Sequence, residues 1–212
     1  MTSTNNATTK GSEAARLEQL WAGEFGNEYV DRNIDAYAAR GGFWLPFLDE
    51  IAPESVLEVG CNVGGNLQWI AEKVPPNRIV GVDVNAKALR LLEERVPGVR
   101  AMHAPARDLP FADRSIDLVF TMGVLIHQPE ESLAKVMSEM VRVSKRWVFC
   151  AEYFDNQTVE VEYRGNHGAL FRRDYGGLFQ ELFPLELTLV QEGFLTAEQG
   201  WDRDTWWLFE RC

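Results

Sequence analysis

Several residue patterns are scarce in this chain of 212 residues. The cysteines are Cys61, Cys150 and Cys212, and none of them forms a CxxC pair, which argues against a disulfide framework and a zinc site. No apolar run reaches about 18 residues, so we predict no membrane span. The polar start has no apolar signal-peptide core. Together with the unpaired cysteines, this predicts a cytoplasmic protein without a bound metal.

Basic residues are also few. The chain has 21 Lys and Arg and 32 Asp and Glu, which gives a net charge of −11. Nucleic-acid binding relies on clustered Lys and Arg, so we expect no nucleic acid as a partner. Hydrophobic residues make up 46% of the chain, which is enough for one full core. We predict a disordered tail over 1–12 and a single domain over 13–212, and leave the oligomeric state open.

From residue 55 onward, short apolar runs alternate with helical patterns. The runs predict strands at 56–59, 78–82, 99–103, 116–121 and 147–152, with helices at 66–74, 86–96 and 131–144. Two further strands at 185–195 and 204–211 have too short a connection for a crossover helix, so they should pair antiparallel. The pattern predicts an α/β fold with a Rossmann-like, seven-stranded, mostly parallel sheet and a C-terminal antiparallel hairpin.

The predicted domain divides into three parts along the chain. Helical spacing over 13–54 predicts an N-terminal helical cap, and 55–152 forms the cofactor-binding core. The remainder, 153–212, holds a substrate loop and the terminal hairpin. Ligands of open parallel sheets bind beyond the carboxyl ends of the strands, so the site is expected at that edge of the core.

A glycine-dense loop follows the first predicted strand in "VLEVGCNVGGNL", which carries Glu58, Gly60, Asn62 and Gly64. Glycine lets the backbone turn sharply, and the N-terminus of the next helix offers free N–H groups. Asp83 ends the second strand, where a carboxylate is placed to accept hydrogen bonds from both hydroxyls of a ribose. Together these features predict a nucleoside derivative as the ligand.

The stretch "LPFADRSID" at 109–117 and the terminal hairpin add to this loop. Together they resemble the class I S-adenosylmethionine-dependent methyltransferases, whose loop pattern is E/DxGxGxG, and the resemblance covers about 55–152. It implies an enzyme that uses S-adenosylmethionine and methylates oxygen or nitrogen of a small polar metabolite. The cofactor-binding residues that it implies are Glu58, Gly60, Asn62, Gly64, Asp83, Val84, Ala106, Arg107 and Gly123.

In that resemblance Glu58 orients the ammonium of the methionine part and Asp83 holds the ribose. The residues Val84, Ala106 and Arg107 lie at the adenine. The sequence departs from the family at two positions. Asn62 replaces the middle glycine, although Asn tolerates left-handed backbone better than most residues. Pro105 stands where many relatives have an acid for the adenine amine.

On the substrate side, His127 follows the fourth strand and suits proton acceptance near neutral pH, and a purely structural role stays open. An arginine fork matches a carboxylate or phosphate, so the acceptor can be anionic, whereas a solvated loop is the alternative for these arginines. Aromatic residues of the cap are either a lid or core, and the terminal tryptophans, Trp201 among them, are assigned to sheet packing. The candidate substrate-binding residues are Tyr29, Arg32, Arg164, Arg172 and Tyr175.

Several segments narrow the resemblance and leave alternatives. "EFGNEYVDRN", "GVLIHQ" and "YRGNHGALFRRDY" look like the small methylases associated with pseudaminic acid and other sugar or secondary-metabolite clusters. Two other functions stay open. An NAD-linked oxidoreductase would use Gly60, Asn62 and Gly65 as a damaged GxGxxG loop. A protein that binds S-adenosylmethionine without catalysis is the second.

Overall fold

The computed structural model describes residues 12–35 and 37–212, so the tail predicted over 1–12 lies outside the described residues except for Ser12. The helices in this part are α1 (Glu13–Ala22), α2 (Glu24–Asn33), α3 (Gly41–Ile51), α4 (Leu67–Ile70), α5 (Ala86–Arg95), α6 (Glu130–Val143) and α7 (Tyr175–Leu182). The strands are β1 (Val56–Val59), β2 (Ile79–Asp83), β3 (Arg100–His103), β4 (Ile116–Met122), β5 (Ser144–Glu152), β6 (Val159–Glu160), β7 (Phe171–Arg172), β8 (Leu187–Phe194) and β9 (Thr205–Arg211).

Seven strands form one sheet in the order β3-β2-β1-β4-β5-β9-β8. The first five in this order are parallel, and β9 runs antiparallel to both β5 and β8. This confirms the predicted fold class, and the bounds of the predicted strands differ from the observed ones by at most three residues. Strands β6 and β7 pair separately as a small antiparallel ribbon.

The core lies on both faces of the sheet because β1, β4 and β5 are buried on both sides. Alternate residues of a strand point to opposite faces. In β1, Leu57 packs in a cluster with residues of α6 and α7, whereas Val56 packs in a second cluster with residues of α3, α4 and α5. Within the described ranges, no helix combines the length and the apolarity that crossing a membrane requires.

The helices before β1 occupy two different places. Helix α3 lies on the sheet, where the fully buried Trp44 contacts Phe120 and Phe149 with ring centroids 4.9 and 5.7 Å apart. Helices α1 and α2 instead meet the loop after β2, since Asn85 donates from Nδ2 to the carbonyl oxygen of Trp21. The α1–α2 pair therefore stands over the carboxyl edge of the sheet.

Helix α7 was not predicted from the sequence. Two glycines in "DYGGLF" lower the helix propensity, and the segment was interpreted as a substrate loop. The Asp174 side chain caps the helix by accepting from the backbone N–H of Gly177. Burial of Tyr175 and Phe179 then holds the helix on the sheet. Tyr175 is fully buried in the core, so its predicted contact with substrate is wrong.

Candidate active site

A cavity of about 400 Å³ opens at the carboxyl ends of β1, β2 and β4. Pockets for small ligands and cofactors usually have about 300–1,000 Å³. Its lining brings together residues that are far apart in the sequence, including most of those predicted. The predicted residues that line it are Tyr29, Glu58, Gly60, Asn62, Asp83, Val84, Ala106, Gly123, His127 and Arg164.

The loop after β1 has alternating left-handed backbone positions. Gly60, Asn62 and Gly64 have φ angles of 76°, 47° and 75°. Asn62 therefore takes the left-handed conformation expected for a residue that replaces the middle glycine of the loop pattern. Its side chain donates from Nδ2 to the hydroxyl of Tyr37 at 3.1 Å, which leaves Oδ1 buried without a hydrogen-bond partner among the described residues.

Gly64 does not line the cavity, in contrast to Gly60. A Cβ on Gly64 would lie 2.3 Å from Cδ1 of Leu92, so this glycine lets α5 pack against the loop. A Cβ on Gly60 would lie 2.4 Å from Cγ2 of Val124, on the turn after β4. Gly64 therefore lets α5 approach the loop, and Gly60 lets the turn after β4 approach it. Of the two glycines, Gly60 faces the cavity.

Asp83, at the end of β2, holds the loop and faces the cavity. One carboxylate oxygen accepts from the backbone N–H of Asn62 at 2.9 Å, and the other accepts from the N–H of Asn85 at 2.8 Å. Burial raises the pKa of Asp83, while these backbone donors oppose the increase. Each carboxylate oxygen retains a further lone pair for a ligand hydroxyl.

Glu58 is 2% exposed and lies beside Asn66, whose Nδ2 donates to Oε1 at 2.6 Å. Burial raises the pKa of Glu58 to about 8. Its second oxygen, Oε2, is buried and has no hydrogen-bond partner in the described part of the chain. Because an unpaired buried carboxylate oxygen is costly, this atom points to a missing donor or cation in the cavity.

Arg40 is a cavity residue that the sequence analysis missed. Its guanidinium lies between the rings of Tyr37 and Trp201, at 4.4 and 4.0 Å from the centroids. It donates from Nη1 to Oδ1 of Asn66 and from Nε to the carbonyl oxygen of Gly200. Trp201, which had been assigned to sheet packing alone, therefore also lines the cavity. No local pattern marks Arg40, since its partners come from distant segments.

The adenine-side residues divide in two groups. Val84 and Ala106 line the cavity, whereas Arg107 does not. Arg107 instead forms an ion pair with Glu18 of α1, with Nε and Oε1 2.5 Å apart. The backbone carbonyl of Val84 lies 2.9 Å from Nε2 of His103. The region is thus a small apolar surface closed on one side by α1.

His127 ends a 3₁₀ turn, Leu125–His127, that follows β4. The ring lies with its centroid 4.5 Å from that of Trp21, and Nδ1 is 2.5 Å from the carbonyl oxygen of Ala169. A carbonyl oxygen can only accept, so Nδ1 carries the proton and Nε2 is left as an acceptor. Burial lowers the pKa of His127 to about 4, which keeps the ring neutral near pH 7.

A buried carboxylate positions that turn. Glu152, fully buried at the end of β5, accepts hydrogen bonds from the backbone N–H groups of 124–126 and from the hydroxyl of Thr121. These N–H groups begin a turn and would otherwise lack partners. Glu152 therefore attaches the backbone of the segment that carries His127 to the sheet, and the carbonyl of Ala169, between β6 and β7, holds the ring.

The low pKa of His127 has a measurable effect on stability. An unfolded histidine takes up a proton below about pH 6.5, whereas His127 in the folded chain does so only near 4. The free energy of unfolding should thus fall by up to about 3 kcal/mol as the pH drops through this window. We expect urea denaturation to show that the difference in the free energy of unfolding between the wild type and His127→Gln falls by this amount as the pH is lowered.

The control for this measurement is His167→Gln, at an exposed histidine. This variant makes the same side-chain change outside the cavity and gives the reference for the comparison. Glu58 and Glu152, whose pKa values burial raises to about 8, titrate in all three proteins and cancel in the differences. A His127→Gln difference that stays constant from pH 7 to pH 4 would contradict a buried neutral imidazole.

Some of the predicted substrate-binding residues line the cavity and others do not. Tyr29 and Arg164 line the cavity, and burial raises the pKa of the Tyr29 hydroxyl. Arg32 does not line it and pairs with Glu28, with Nη1 and Oε2 3.5 Å apart. Arg172 also lies outside the lining and pairs with Asp155, between β5 and β6, with Nη2 and Oδ2 3.4 Å apart. In the described ranges, no group of His, Cys, Asp and Glu side chains is arranged as a metal site.

A protein-family model described as a methyltransferase domain matches residues 56–146. This stretch is therefore similar to a methyltransferase domain. It contains β1 to β4, the glycine loop, Asp83 and His127, which are the parts that form one wall of the cavity. The cap residues and the segment after β5 lie outside the match, so the rest of the cavity is formed by the segments that flank the matched stretch.

Two curated relatives match less than half of this chain. Methyltransferase GfsG of Streptomyces halstedii is 35% identical over 102 residues, which are 45% of this chain and 36% of that protein. Phthiotriol/phenolphthiotriol dimycocerosates methyltransferase 1 of Mycobacterium ulcerans is 31% identical over 96 residues, which are 44% of this chain and 35% of that protein. The chain spans about a third of the length of these relatives.

Solved structures are similar over nearly the whole chain. Magnesium protoporphyrin IX methyltransferase from Synechocystis PCC 6803 with bound SAM has a TM-score of 0.68 and 12% identity, covering 99% of this chain and 100% of that one. The 1,6-didemethyltoxoflavin-N1-methyltransferase of Burkholderia thailandensis has a TM-score of 0.70 and 13% identity, covering 95% and 91%. At these identities the similarity shows a shared fold.

The matched domain and the structural neighbours with bound SAM or SAH support S-adenosylmethionine as the cofactor. The residues of the cavity fit this molecule. The orphaned Oε2 of Glu58 suits an ammonium, and the carboxylate of Asp83 suits ribose hydroxyls. Arg40 uses Nε and Nη1 within the protein, and Nη2 has no hydrogen-bond partner among the described residues. That nitrogen suits a carboxylate.

Proposed function

We propose that this chain transfers the methyl group of S-adenosylmethionine to oxygen or nitrogen of a small polar metabolite. The observation that carries the proposal is the shared cavity. The cavity is lined by groups without protein partners that suit an amino acid, and by a carboxylate that suits a ribose. It is also lined by a histidine whose Nε2 carries no proton. The segments that resemble pseudaminic acid-associated methylases make sugar or secondary-metabolite biosynthesis part of the proposal.

The proposed binding mode assigns each part of the cofactor to a segment of the chain. Glu58 and Arg40 hold the ammonium and carboxylate of the methionine part, with Asn66 fixing both side chains by a hydrogen bond to each. Asp83 holds the ribose hydroxyls, and Val84 and Ala106 pack against the adenine. The bound cofactor supplies a methyl group on a positively charged sulfur.

The chain's own task in transfer is to hold the acceptor atom in line with that methyl and to manage its proton. Four residues after β4 line the cavity beside the loop after β1, namely Gly123, Val124, Ile126 and His127. His127 offers Nε2 as a hydrogen-bond acceptor, which would orient a hydroxyl or amine proton away from the acceptor lone pair. The neighbouring rings of Trp21 and Tyr163 exclude water from this side of His127.

Calorimetry with S-adenosylmethionine and NAD as competing ligands tests the proposal against its alternatives. We expect micromolar binding of S-adenosylmethionine and its product S-adenosylhomocysteine, and no heat with NAD. Labelled cofactor should then deliver methyl to members of a panel of amino acids, amines and sugar nucleotides. Binding of NAD instead would favour an oxidoreductase. Binding of S-adenosylmethionine without transfer to any acceptor would favour a non-catalytic binding protein.

A further inference from the structure

The cavity continues beyond the groups assigned to the cofactor, toward the edge between β5 and β9. Tyr153 follows β5 and Asp204 precedes β9, and both line the cavity. The register pairs Glu152 with Thr205, so these two residues leave the sheet side by side. Tyr29 of α2 and Tyr163 of the insertion between β5 and α7 line the same cavity. This end is therefore the acceptor side of the proposed function.

Asp204 is the buried titratable group here that the proposed transfer does not use. It is 8% exposed, and burial raises the pKa of its carboxyl to about 6, with the neighbouring Asp202 adding to the increase. The carboxylate has no side-chain hydrogen-bond donor among the described residues, and the backbone of Asp202 is its one opposing hydrogen bond. A buried carboxylate is costly when no cation forms an ion pair with it, and no such ion pair to Asp204 is present among the described residues.

Arginines do not provide that partner. Arg172 pairs with Asp155, and Arg173 donates to the backbone carbonyl of Gln128. Arg40 lies within range of Asp204 and lowers its pKa, but it hydrogen-bonds elsewhere and is assigned to the cofactor carboxylate. Arg164 lines the cavity from an exposed position, with its guanidinium 5.9 Å from the ring of Tyr163. An anionic acceptor would face the carboxylates of Asp202 and Asp204, and no buried arginine of this group would remain to pair with it.

Aromatic rings line the same cavity, and Tyr153 lies within electrostatic range of both Asp204 and Tyr163. The rings of Trp21, His127 and Tyr163 are mutual neighbours, with centroid distances of 4.5, 5.3 and 6.4 Å. Tyr29 contacts Trp21 edge-on at 5.2 Å. Ring faces carry negative electrostatic potential and attract cations, and flat molecules pack well on them. Charge and shape at this end thus favour the same kind of ligand.

We propose that this end of the cavity binds an acceptor that carries a ring and a protonated amine, with the amine held by Asp204 and the ring packed on the aromatic cluster. The inference rests on the proposed function, since it names the acceptor class for that site. It replaces the anionic acceptor expected from the arginines of the sequence.

Two probes of the same size and opposite charge test the inference. Tyramine and 4-hydroxyphenylacetate share a phenol ring, and differ in an ammonium or a carboxylate at the end of the side chain. Their affinities are measured by calorimetry near neutral pH with saturating S-adenosylhomocysteine. We expect tyramine to bind at least about tenfold tighter, a difference of about 1.4 kcal/mol. Equal binding, tighter binding of the carboxylate, or no tyramine binding would overturn the inference.

Variants identify the group responsible. Asp204→Asn keeps the size of the side chain and removes the charge, so it should abolish the preference for tyramine. Its affinity for S-adenosylhomocysteine should stay within about threefold of the wild type, which shows that the site is folded. Asp108→Asn, at an exposed position outside the lining, is the matched control and should keep the preference. A preference that survives Asp204→Asn counts against Asp204 as the amine site.

The two proposals fail in different ways. If the wild type does not bind S-adenosylhomocysteine, the proposed function is wrong. If it binds S-adenosylhomocysteine and shows no preference for tyramine, the proposed function stands and the acceptor class is wrong. The comparison of probes on the wild type also gives a result if Asp204→Asn fails to fold.

Discussion

Replacing Asp83 by alanine should weaken the binding of S-adenosylhomocysteine by at least about a hundredfold. In the proposed binding mode the variant loses two hydrogen bonds from ribose hydroxyls to a carboxylate, each worth about 1.5–3 kcal/mol, and about 1.4 kcal/mol is a factor of ten. It also releases the N–H groups of Asn62 and Asn85, which the carboxylate holds at 2.9 and 2.8 Å. Isothermal titration calorimetry measures the change directly.

Asp117→Ala is the matched control for this variant. Asp117 is 7% exposed and accepts from the backbone N–H of Glu54, so its loss also removes a buried carboxylate. It lies at the start of β4, at the opposite edge of the sheet from the cavity. We expect a lower melting temperature and an affinity within about threefold of the wild type. Unchanged affinity in Asp83→Ala would place the ribose elsewhere.

Replacing Arg40 by methionine should separate two ligands that differ only in the amino-acid part. In the proposed binding mode the variant loses a charged hydrogen bond of about 2–3 kcal/mol, so S-adenosylhomocysteine should bind about thirtyfold or more weakly. 5′-Methylthioadenosine, which lacks the amino acid, should bind as it does to the wild type. The ratio of the two affinities isolates the carboxylate contact, because any loosening of Tyr37 or Trp201 affects both ligands.

The control for Arg40→Met is Arg95→Met. Arg95 donates to the backbone carbonyl of Ile34, and it does not line the cavity. It should cost stability without changing the ratio of the two affinities. An equal loss for both ligands in Arg40→Met would mean that Arg40 supports the cavity wall through its contacts with Tyr37 and Trp201, and does not bind the amino acid.

The loop after β1 and the end of β2 were predictable because their signals are local. Buried strands appear as short apolar runs, and a turn into the left-handed region requires residues such as Gly60 and Asn62. Asp83 follows from the same reasoning, since the last residue of a parallel strand lies at the ligand edge. The departure at Asn62 was also interpretable, because a φ of 47° is one that asparagine tolerates.

The substrate side was not predictable to the same extent. "RRDYGG" has the composition of a polar loop, yet the segment begins a helix and buries Tyr175 completely. The charge of Arg172 suggested an anion clamp, but its partner Asp155 is visible only when the chain folds back on itself. For the same reason nothing in the sequence distinguished the buried Asp204 from the exposed Asp202.

The sequence by itself determined where the strands lie along the chain, the left-handed loop after β1 and the acid at the end of β2. It did so because backbone conformation and burial leave a local pattern in the sequence. The tertiary structure alone decided which side chains meet across the cavity. Arg40, Glu58, Asn66 and Trp201 come from four separate segments, and their contacts depend on how α3 and the connection between β8 and β9 pack on the sheet. Such convergence has no sequence spacing to reveal it.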